Sequence, residues 1–316
     1  MQMTRRKFIV AAASVGAVGG LGALMANGDT APGFVWRGSA LGGEARVSLY
    51  GADPDAIQEA LVAVAREIER LEAIFSLYRP ESQLSRLNAT GHLDALSRDL
   101  EDVLRAAIEW RTTTGGAFDP TIQTVWRAVA EGSEISPDLL ATTGARVGIK
   151  DGEITLADGS ALTLNGIAQG RIADRVTELL VSRGFTDVVV DAGELRLPGR
   201  QRRAVGISAA KAAVSVAEVA IATSEPKTLV FDQKTWRHHL IDPRTGQSPR
   251  HWQSISVFAR DAQTADALST AFAVLPLDAV ADLSAMIGDN AVIGRDQKGR
   301  IRRFGDPMLT GGTRVS

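Results

Sequence analysis

The chain has 316 residues, 45% hydrophobic and 23% charged, with 35 Lys+Arg against 37 Asp+Glu and a formal net charge of −2. That length suits one large domain or two closely packed ones, and the near-neutral balance lacks the basic face that binding to nucleic acid requires. Cysteine is absent, which excludes a disulfide framework, a thiol nucleophile and a thiolate metal site, so any metal rests on oxygen or on the four histidines, His92, His238, His239 and His251.

Residues 1–30 read as a targeting segment. Arg5 and Arg6 precede an apolar, alanine- and glycine-rich run from Ile9 to Met25, the layout of a signal peptide. The paired arginines favour a Tat-type signal and a periplasmic destination. Leu24-Met25-Ala26 is a weak cleavage site, so removal and retention as an uncleaved membrane anchor both remain open. The run is too glycine-rich for a clear membrane span, and no other stretch of the chain is a candidate.

One main core is expected over 35–306. Ala45 to Tyr50 reads as a strand, after which Asp53-Pro54 offers an N-cap and a proline at the first helical position. Ile57, Leu61, Val64, Ile68, Leu71 and Phe75 then follow at spacings of four and three, one buried stripe of a long helix. A second helix is expected from Ser97, with Leu100, Val103, Leu104, Ala107 and Ile108 inward, stopping at Gly115-Gly116. A third follows Gly166 and ends at Gly184, a glycine suited to a helix C-terminus. Val188 to Val190 is a short apolar strand, and more strands occupy Ala204 to Phe258. Helices close the pattern from Thr264 to Leu275 and from Asp278, before a loosely held tail over 307–316. Strands arrive in runs instead of alternating with helices, which predicts an α+β fold.

Five segments carry potential chemistry. Phe75 through Asn88 places an aromatic, Tyr78, and several hydrogen-bonding side chains beyond a helix end. Gly115-Gly116-Ala117-Phe118-Asp119-Pro120-Thr121 is a glycine-bounded turn able to approach a ligand through its backbone. Leu164 through Gly170 enters a helix, where free N–H groups favour an anion such as phosphate. His238 through Gly246 and Thr264 through Thr270 complete the set. Asp266 and Thr270 stand four apart on one helix face, where their oxygens suit a hard cation; they also read as a dipole-favoured carboxylate with a surface threonine. His239 fits a structural histidine as well as a base, and Tyr78 fits a half-buried core residue.

In order and combination these segments resemble the ApbE family of FAD:protein FMN transferases, from about residue 40 to about 280. The residues carrying the resemblance are Phe75-Ser76-Leu77-Tyr78, Gly116-Ala117-Phe118-Asp119-Pro120-Thr121 and Gly166-Ile167-Ala168-Gln169-Gly170. With them go Val190-Asp191-Ala192-Gly193-Glu194, Ala222-Thr223-Ser224-Glu225, His239 through Gly246, and Ala265-Asp266-Ala267-Leu268-Ser269-Thr270-Ala271. The resemblance implies an ApbE-type, T-fold-like arrangement of helices and antiparallel strands. It implies FAD as substrate and Mg²⁺ held by the Gly166 carbonyl, Asp266 and Thr270. Flavin contacts fall on Leu41, Tyr78, Ala117, Phe118, Asp119 and Ile241, with Gln169 at the phosphate-side helix entry.

The reaction so implied transfers FMN from FAD to a serine or threonine hydroxyl of an acceptor flavoprotein and releases AMP. It needs a base near that hydroxyl, and His239 is the best candidate in this composition. Three positions depart from the family pattern: Gln169 stands for a lysine, Thr163 for an aspartate and Glu225 for a glycine. With the Tat-type signal, these departures resemble NosX-like members, whose acceptor is a membrane-associated electron-transfer protein. Two other readings stand beside transfer: a non-catalytic FAD-binding or delivery protein, and a metal-dependent FAD pyrophosphatase.

Overall fold

Residues 34–50, 54–307 and 309–310 are described by a computed structural model; the expected targeting segment and most of the expected tail lie outside them. The strands in chain order are β1 (Phe34–Ala40), β2 (Gly43–Leu49), β3 (His92–Leu93), β4 (Val147–Lys150), β5 (Glu153–Leu156), β6 (Val188–Asp191), β7 (Leu195–Leu197) and β8 (Arg203–Ile207). They continue with β9 (Ala212–Val216), β10 (Val219–Ser224), β11 (Val230–Asp232), β12 (Arg237–His238), β13 (Trp252–Ala259), β14 (Asn290–Asp296) and β15 (Ile301–Gly305). The helices are α1 (Pro54–Phe75), α2 (Gln83–Thr90), α3 (Arg98–Thr113), α4 (Gln123–Ala130), α5 (Pro137–Leu140), α6 (Ala168–Ser182), α7 (Ala262–Val274) and α8 (Leu277–Ile287).

Eight strands form one antiparallel sheet in the order β1-β2-β6-β7-β10-β13-β14-β15. Its two faces are sorted by strand period. Val188 and Val190, Ala220 and Ala222, and Ile255 and Val257 face the large core shared with α1, α3, α6 and α7. Val189, Ile221 and Phe258, each next to one of these and on the opposite face, join a second core under the β8–β9 hairpin. Helices thus cover one face and a hairpin the other, the α+β layering expected. Among the described residues, no helix is long and apolar enough to cross a membrane.

The long helix α1 buries Ile57, Val64, Ile68, Leu71 and Phe75, with Leu61 only partly covered. Ser97 caps α3 by accepting the Leu100 N–H at 3.3 Å. Helices α2, α4 and α5 are not anticipated by periodicity. Each has eight residues or fewer, too short to display a repeat, and α2 is delimited by the Ser82 cap and by Gly91 in the left-handed region (φ 74°). Helix α7 differs from the others in being buried nearly all round, from Ala262 to Val274. Its small residues let α6 and the sheet close on it from several sides, so it lies inside the molecule.

Candidate active site

One cavity, on the helical side of the sheet, is lined by every residue assigned above to flavin, metal or base: Leu41, Tyr78, Ala117, Phe118, Asp119, Gly166, Gln169, His239, Ile241, Asp266 and Thr270. Six separate stretches of chain converge there, and local chemistry explains how each arrives.

Leu41 and Gly42 are the two-residue turn between β1 and β2, with φ of 50° and 84°, the left-handed pair that a tight hairpin requires. The Leu41 N–H donates to Glu72 Oε1 at 2.8 Å. Glu72 also takes a short charged hydrogen bond from Arg79 Nη2, while Arg79 reaches Glu69 as well. The arginine of the Tyr78 segment therefore anchors the hairpin tip. Tyr78 itself is 41% exposed, a large aromatic left open beside the cavity with its hydroxyl engaged by Asn165. It is not a core residue.

Ser82 and Asn88 of the same segment have structural duties. Ser82 caps α2 through the Ser85 N–H at 3.0 Å. Asn88 accepts the Leu162 N–H at 2.7 Å and donates to the Leu162 carbonyl at 2.8 Å, holding the strand-like approach to Gly166.

Asp119 shapes its turn. Its Oδ1 accepts from the Thr121 N–H at 2.8 Å and hydroxyl at 2.6 Å. Its Oδ2 accepts the Gly144 N–H at 2.8 Å and lies 3.3 Å from Arg111 Nε. With both oxygens engaged, Asp119 holds the turn that presents Ala117 and Phe118 to the cavity.

Gly166, Asp266 and Thr270, the residues expected to hold a metal, meet where α6 begins against α7. A Cβ built on Gly166 would stand 2.7 Å from Thr270 Oγ1, so glycine is what lets this backbone reach the threonine. Asp266 Oδ2 accepts the Gly170 N–H at 3.1 Å, and the Ala168 N–H is bound to the Leu164 carbonyl at 2.8 Å. The expectation of free N–H groups awaiting a phosphate is thus corrected: the helix start spends two of them internally, one on a site carboxylate. Burial pushes the Asp266 carboxyl up to about 8, opposed by the Gly170 N–H and reinforced by Asp174. Asp174 holds the helix in turn, accepting the Ala262 and Gln263 N–H groups at 2.9 Å each.

The imidazoles divide as their neighbours dictate. His239 Nδ1 lies 3.2 Å from the Leu229 carbonyl, an oxygen that can only accept, so Nδ1 carries the proton and Nε2 keeps its lone pair. Nε2 has no hydrogen-bond partner among the described residues. Burial is the main reason the ring sits low, at about 4, and it is neutral at physiological pH. Trp126 Nε1 donates to the His239 carbonyl at 3.1 Å and fixes the segment. His238 points elsewhere: it is fully buried, with Nε2 at 3.0 Å from the Pro249 carbonyl. It does not line the cavity.

Two departures resolve locally. The Gln169 amide fills the space against Gly193, where a Cβ would meet Nε2 at 2.4 Å, and Gly193 has φ 99°. Glu225 turns its carboxylate to the Ser208 hydroxyl and to Lys227 Nζ at 3.3 Å, so the bulky acid is satisfied. Thr163 lines the cavity and accepts the Asn165 N–H at 3.2 Å.

Sequence reasoning passed over Trp126 and Glu194. Nothing local marks Trp126, which sits in a short amphipathic helix. Glu194 had a signal: it ends the Val190-Asp191-Ala192-Gly193-Glu194 segment, one of those that carry the resemblance. It lines the cavity at 7% exposure, and its Oε2 has no hydrogen-bond partner. Burial holds its carboxyl well above the usual range, with the charges of Asp266 and Asp191 adding. Among the described residues, the cavity lining holds four carboxylates (Asp119, Glu194, Glu225, Asp266) and neither lysine nor arginine.

The ApbE family model matches residues 41–293. The FAD:protein FMN transferase of Vibrio cholerae is 32% identical over 240 residues, covering 67% of this chain and 72% of that one. The FAD:protein FMN transferase of Treponema pallidum is 31% identical over 273 residues, covering 73% and 75%. In structure, the ApbE protein from Thermotoga maritima superposes with a TM-score of 0.75 at 24% identity, over 88% of this chain and 98% of that one. The Vibrio cholerae flavin transferase ApbE gives 0.72 at 23% identity, over 88% and 98%. At those identities the structural likeness speaks for the fold, and the sequence match speaks for descent: this chain belongs to the ApbE family.

Proposed function

We propose that this protein is an FAD:protein FMN transferase, moving FMN from FAD to a serine or threonine hydroxyl of an acceptor flavoprotein and releasing AMP with the help of Mg²⁺. The observation that carries the reading is the neutral His239, its Nδ1 proton committed to Leu229 and its Nε2 free, on the same cavity as an all-oxygen donor set. The names of the relatives from Vibrio cholerae and Treponema pallidum support it.

The residues present fit a divalent cation. Asp266 is a buried carboxylate with only a backbone N–H opposing its desolvation, and Gly166 leaves room for Thr270 beside it. A pyrophosphate entering the cavity meets carboxylates and no lysine or arginine, so a cation is needed to reconcile the two negative partners. Mg²⁺ held by the Gly166 carbonyl, Asp266 and Thr270 would supply that charge neutralisation.

Tyr78 and Phe118 offer aromatic surface to the flavin, and Leu41 and Ile241 offer apolar contact. The acceptor oxygen forms its bond to the FMN-side phosphorus as the phosphoanhydride bond to AMP breaks, and the hydroxyl proton passes to His239 Nε2. A ring this desolvated is a weak base in the free protein. The anionic phosphates of bound FAD stabilise its protonated form and raise its basicity when it is needed.

The deciding experiment incubates the protein with FAD, Mg²⁺ and a candidate acceptor, then reads the acceptor's mass. A shift equal to FMN, lost in His239→Gln, is the expected result. Free FMN and AMP without acceptor would make the protein a pyrophosphatase; FAD retained without covalent product would make it a binder. We further propose export through the Tat-type signal to a membrane-associated acceptor. Replacing Arg5 and Arg6 together by lysine should then deplete the periplasmic fraction, and undiminished export would remove that assignment.

A further inference from the structure

We infer that Glu194 is an additional carboxylate ligand of the divalent cation, so that this chain's metal site carries one more negative charge than Gly166, Asp266 and Thr270 provide. The inference rests on the metal site proposed above and concerns a residue not included in it.

Glu194 belongs to the three-residue turn between β6 and β7, where Ala192 N–H bonds the Glu194 carbonyl at 3.2 Å and Gly193 N–H bonds Asp191 Oδ1 at 3.2 Å. That turn points its last side chain into the cavity shared with Gly166, Asp266 and Thr270. One carboxylate oxygen is accounted for by the Thr223 N–H. The other, Oε2, is buried and unpartnered. No lysine or arginine lines the cavity to neutralise it.

An ionised carboxylate in such a place is costly unless paired or bound to a metal. Asp266 lines the same cavity as a second buried carboxylate, and a divalent cation held by both would offset the two charges. The donor set then becomes a carbonyl, a hydroxyl and two carboxylates, all hard oxygens, with positions left for a phosphate.

The test measures Mn²⁺ binding to the full chain by electron paramagnetic resonance, with and without FAD, for wild type, Glu194→Gln, Glu194→Ala and Asp266→Asn. Glu194→Gln keeps the shape and removes the charge. The expected result is a loss of at least tenfold in Mn²⁺ affinity in both Glu194 variants, together with a smaller rise in Tm on adding Mn²⁺. Metal-free Tm should stay level in Glu194→Gln, which keeps the shape and an acceptor for the Thr223 N–H; this also certifies that the variant folds. Wild-type Mn²⁺ affinity in the Glu194 variants, with affinity lost in Asp266→Asn, would overturn the inference and leave the metal site standing. Mn²⁺ affinity insensitive to Asp266→Asn would remove both. A loss of FAD affinity without metal, with Mn²⁺ binding intact, would make Glu194 a flavin contact and also overturn the inference.

Discussion

The Gly170 N–H donates to Asp266 Oδ2 at 3.1 Å, joining residues 96 apart in sequence. The same glycine lies so close to α7 that a Cβ would stand 2.2 Å from the Ala262 carbonyl. The start of α6 and the start of α7 are therefore locked together at the point from which the site carboxylate projects. Gly170→Ala forces backbone apart, and we expect it to cost about 1–3 kcal/mol. Urea unfolding measures that cost, and Mg²⁺ affinity should fall with it; a fully stable variant would show that the helix starts can separate freely.

Asp174 bears on the same helix from the other side. It accepts the first two N–H groups of α7 at 2.9 Å while Asp261 caps Thr264 at 2.7 Å. Asp174→Ala leaves one buried and one half-buried donor without an acceptor, for an expected loss of about 1–2 kcal/mol. The chemistry should suffer only through metal affinity, so saturating Mg²⁺ should restore much of the rate. Failure of Mg²⁺ to rescue would place Asp174 nearer the substrate than its contacts suggest.

For the cation residues themselves, Asp266→Asn should depress Mg²⁺ binding and FMN transfer together, and Thr270→Val should be milder because a neutral hydroxyl is the weaker ligand. Gly166→Ala is the sharper test of geometry. Its methyl would displace Thr270, whose Oγ1 and Cγ2 stand 2.7 and 3.0 Å from that position. Transfer at limiting Mg²⁺ is the readout, and unchanged activity in Gly166→Ala would separate Thr270 from the metal.

His239→Gln should slow transfer by about 10²- to 10⁴-fold while FAD still binds. In the free protein burial holds this imidazole down at about 4, so the acid limb of kcat/KM should fall below the usual histidine range. The limb of kcat should sit higher, because bound phosphates favour the protonated ring. Stability follows the opposite partner. The unfolded chain takes up the proton near 6.5 and the folded chain only near 4, so His239 favours the fold fully above 6.5 and progressively less toward 4. The advantage changes by about 1 kcal/mol per pH unit across that window. Wild type and His239→Gln compared by denaturant melts at several pH values give the difference directly. His238→Gln is no silent control: the residue is fully buried on Pro249 and its loss should lower stability while sparing the rate constant for transfer.

Leu41 occupies a left-handed position (φ 50°) that a leucine adopts only under strain. Leu41→Asn should ease the turn and raise Tm by a degree or two, yet remove an apolar contact from the flavin side of the cavity. Glu72→Ala, which frees the Leu41 N–H, should raise the KM for FAD with little change in kcat. A Glu72→Ala variant with unaltered KM would show that the hairpin tip does not touch the substrate.

Much of the architecture was readable from local pattern. The stripe Ile57 to Phe75, the helix start near Ser97 and the short apolar strand Val188 to Val190 each follow from a few neighbouring residues, and the structure forms each of them. The ordered motifs pointed to the family, and the family model and relatives match. Helices α2, α4 and α5 escaped because a helix of two turns or fewer shows too little periodicity to register.

What the sequence determined by itself is therefore the kinds of elements and the residue types at each motif, since propensity, capping and period act over a few neighbouring positions. The tertiary structure decided what those residues are free to do. It engaged both oxygens of Asp119 on Thr121 and Gly144, turned Glu225 toward Ser208 and Lys227, and left Glu194 Oε2 without a partner beside Asp266. It also set the tautomer of His239 through the Leu229 carbonyl. These outcomes depend on desolvation and on contacts between distant segments, such as Leu41 with Glu72 and Gly170 with Asp266. A carboxylate or an imidazole looks the same in sequence whether it is satisfied or not, and only the packing around it settles which one is left available for chemistry.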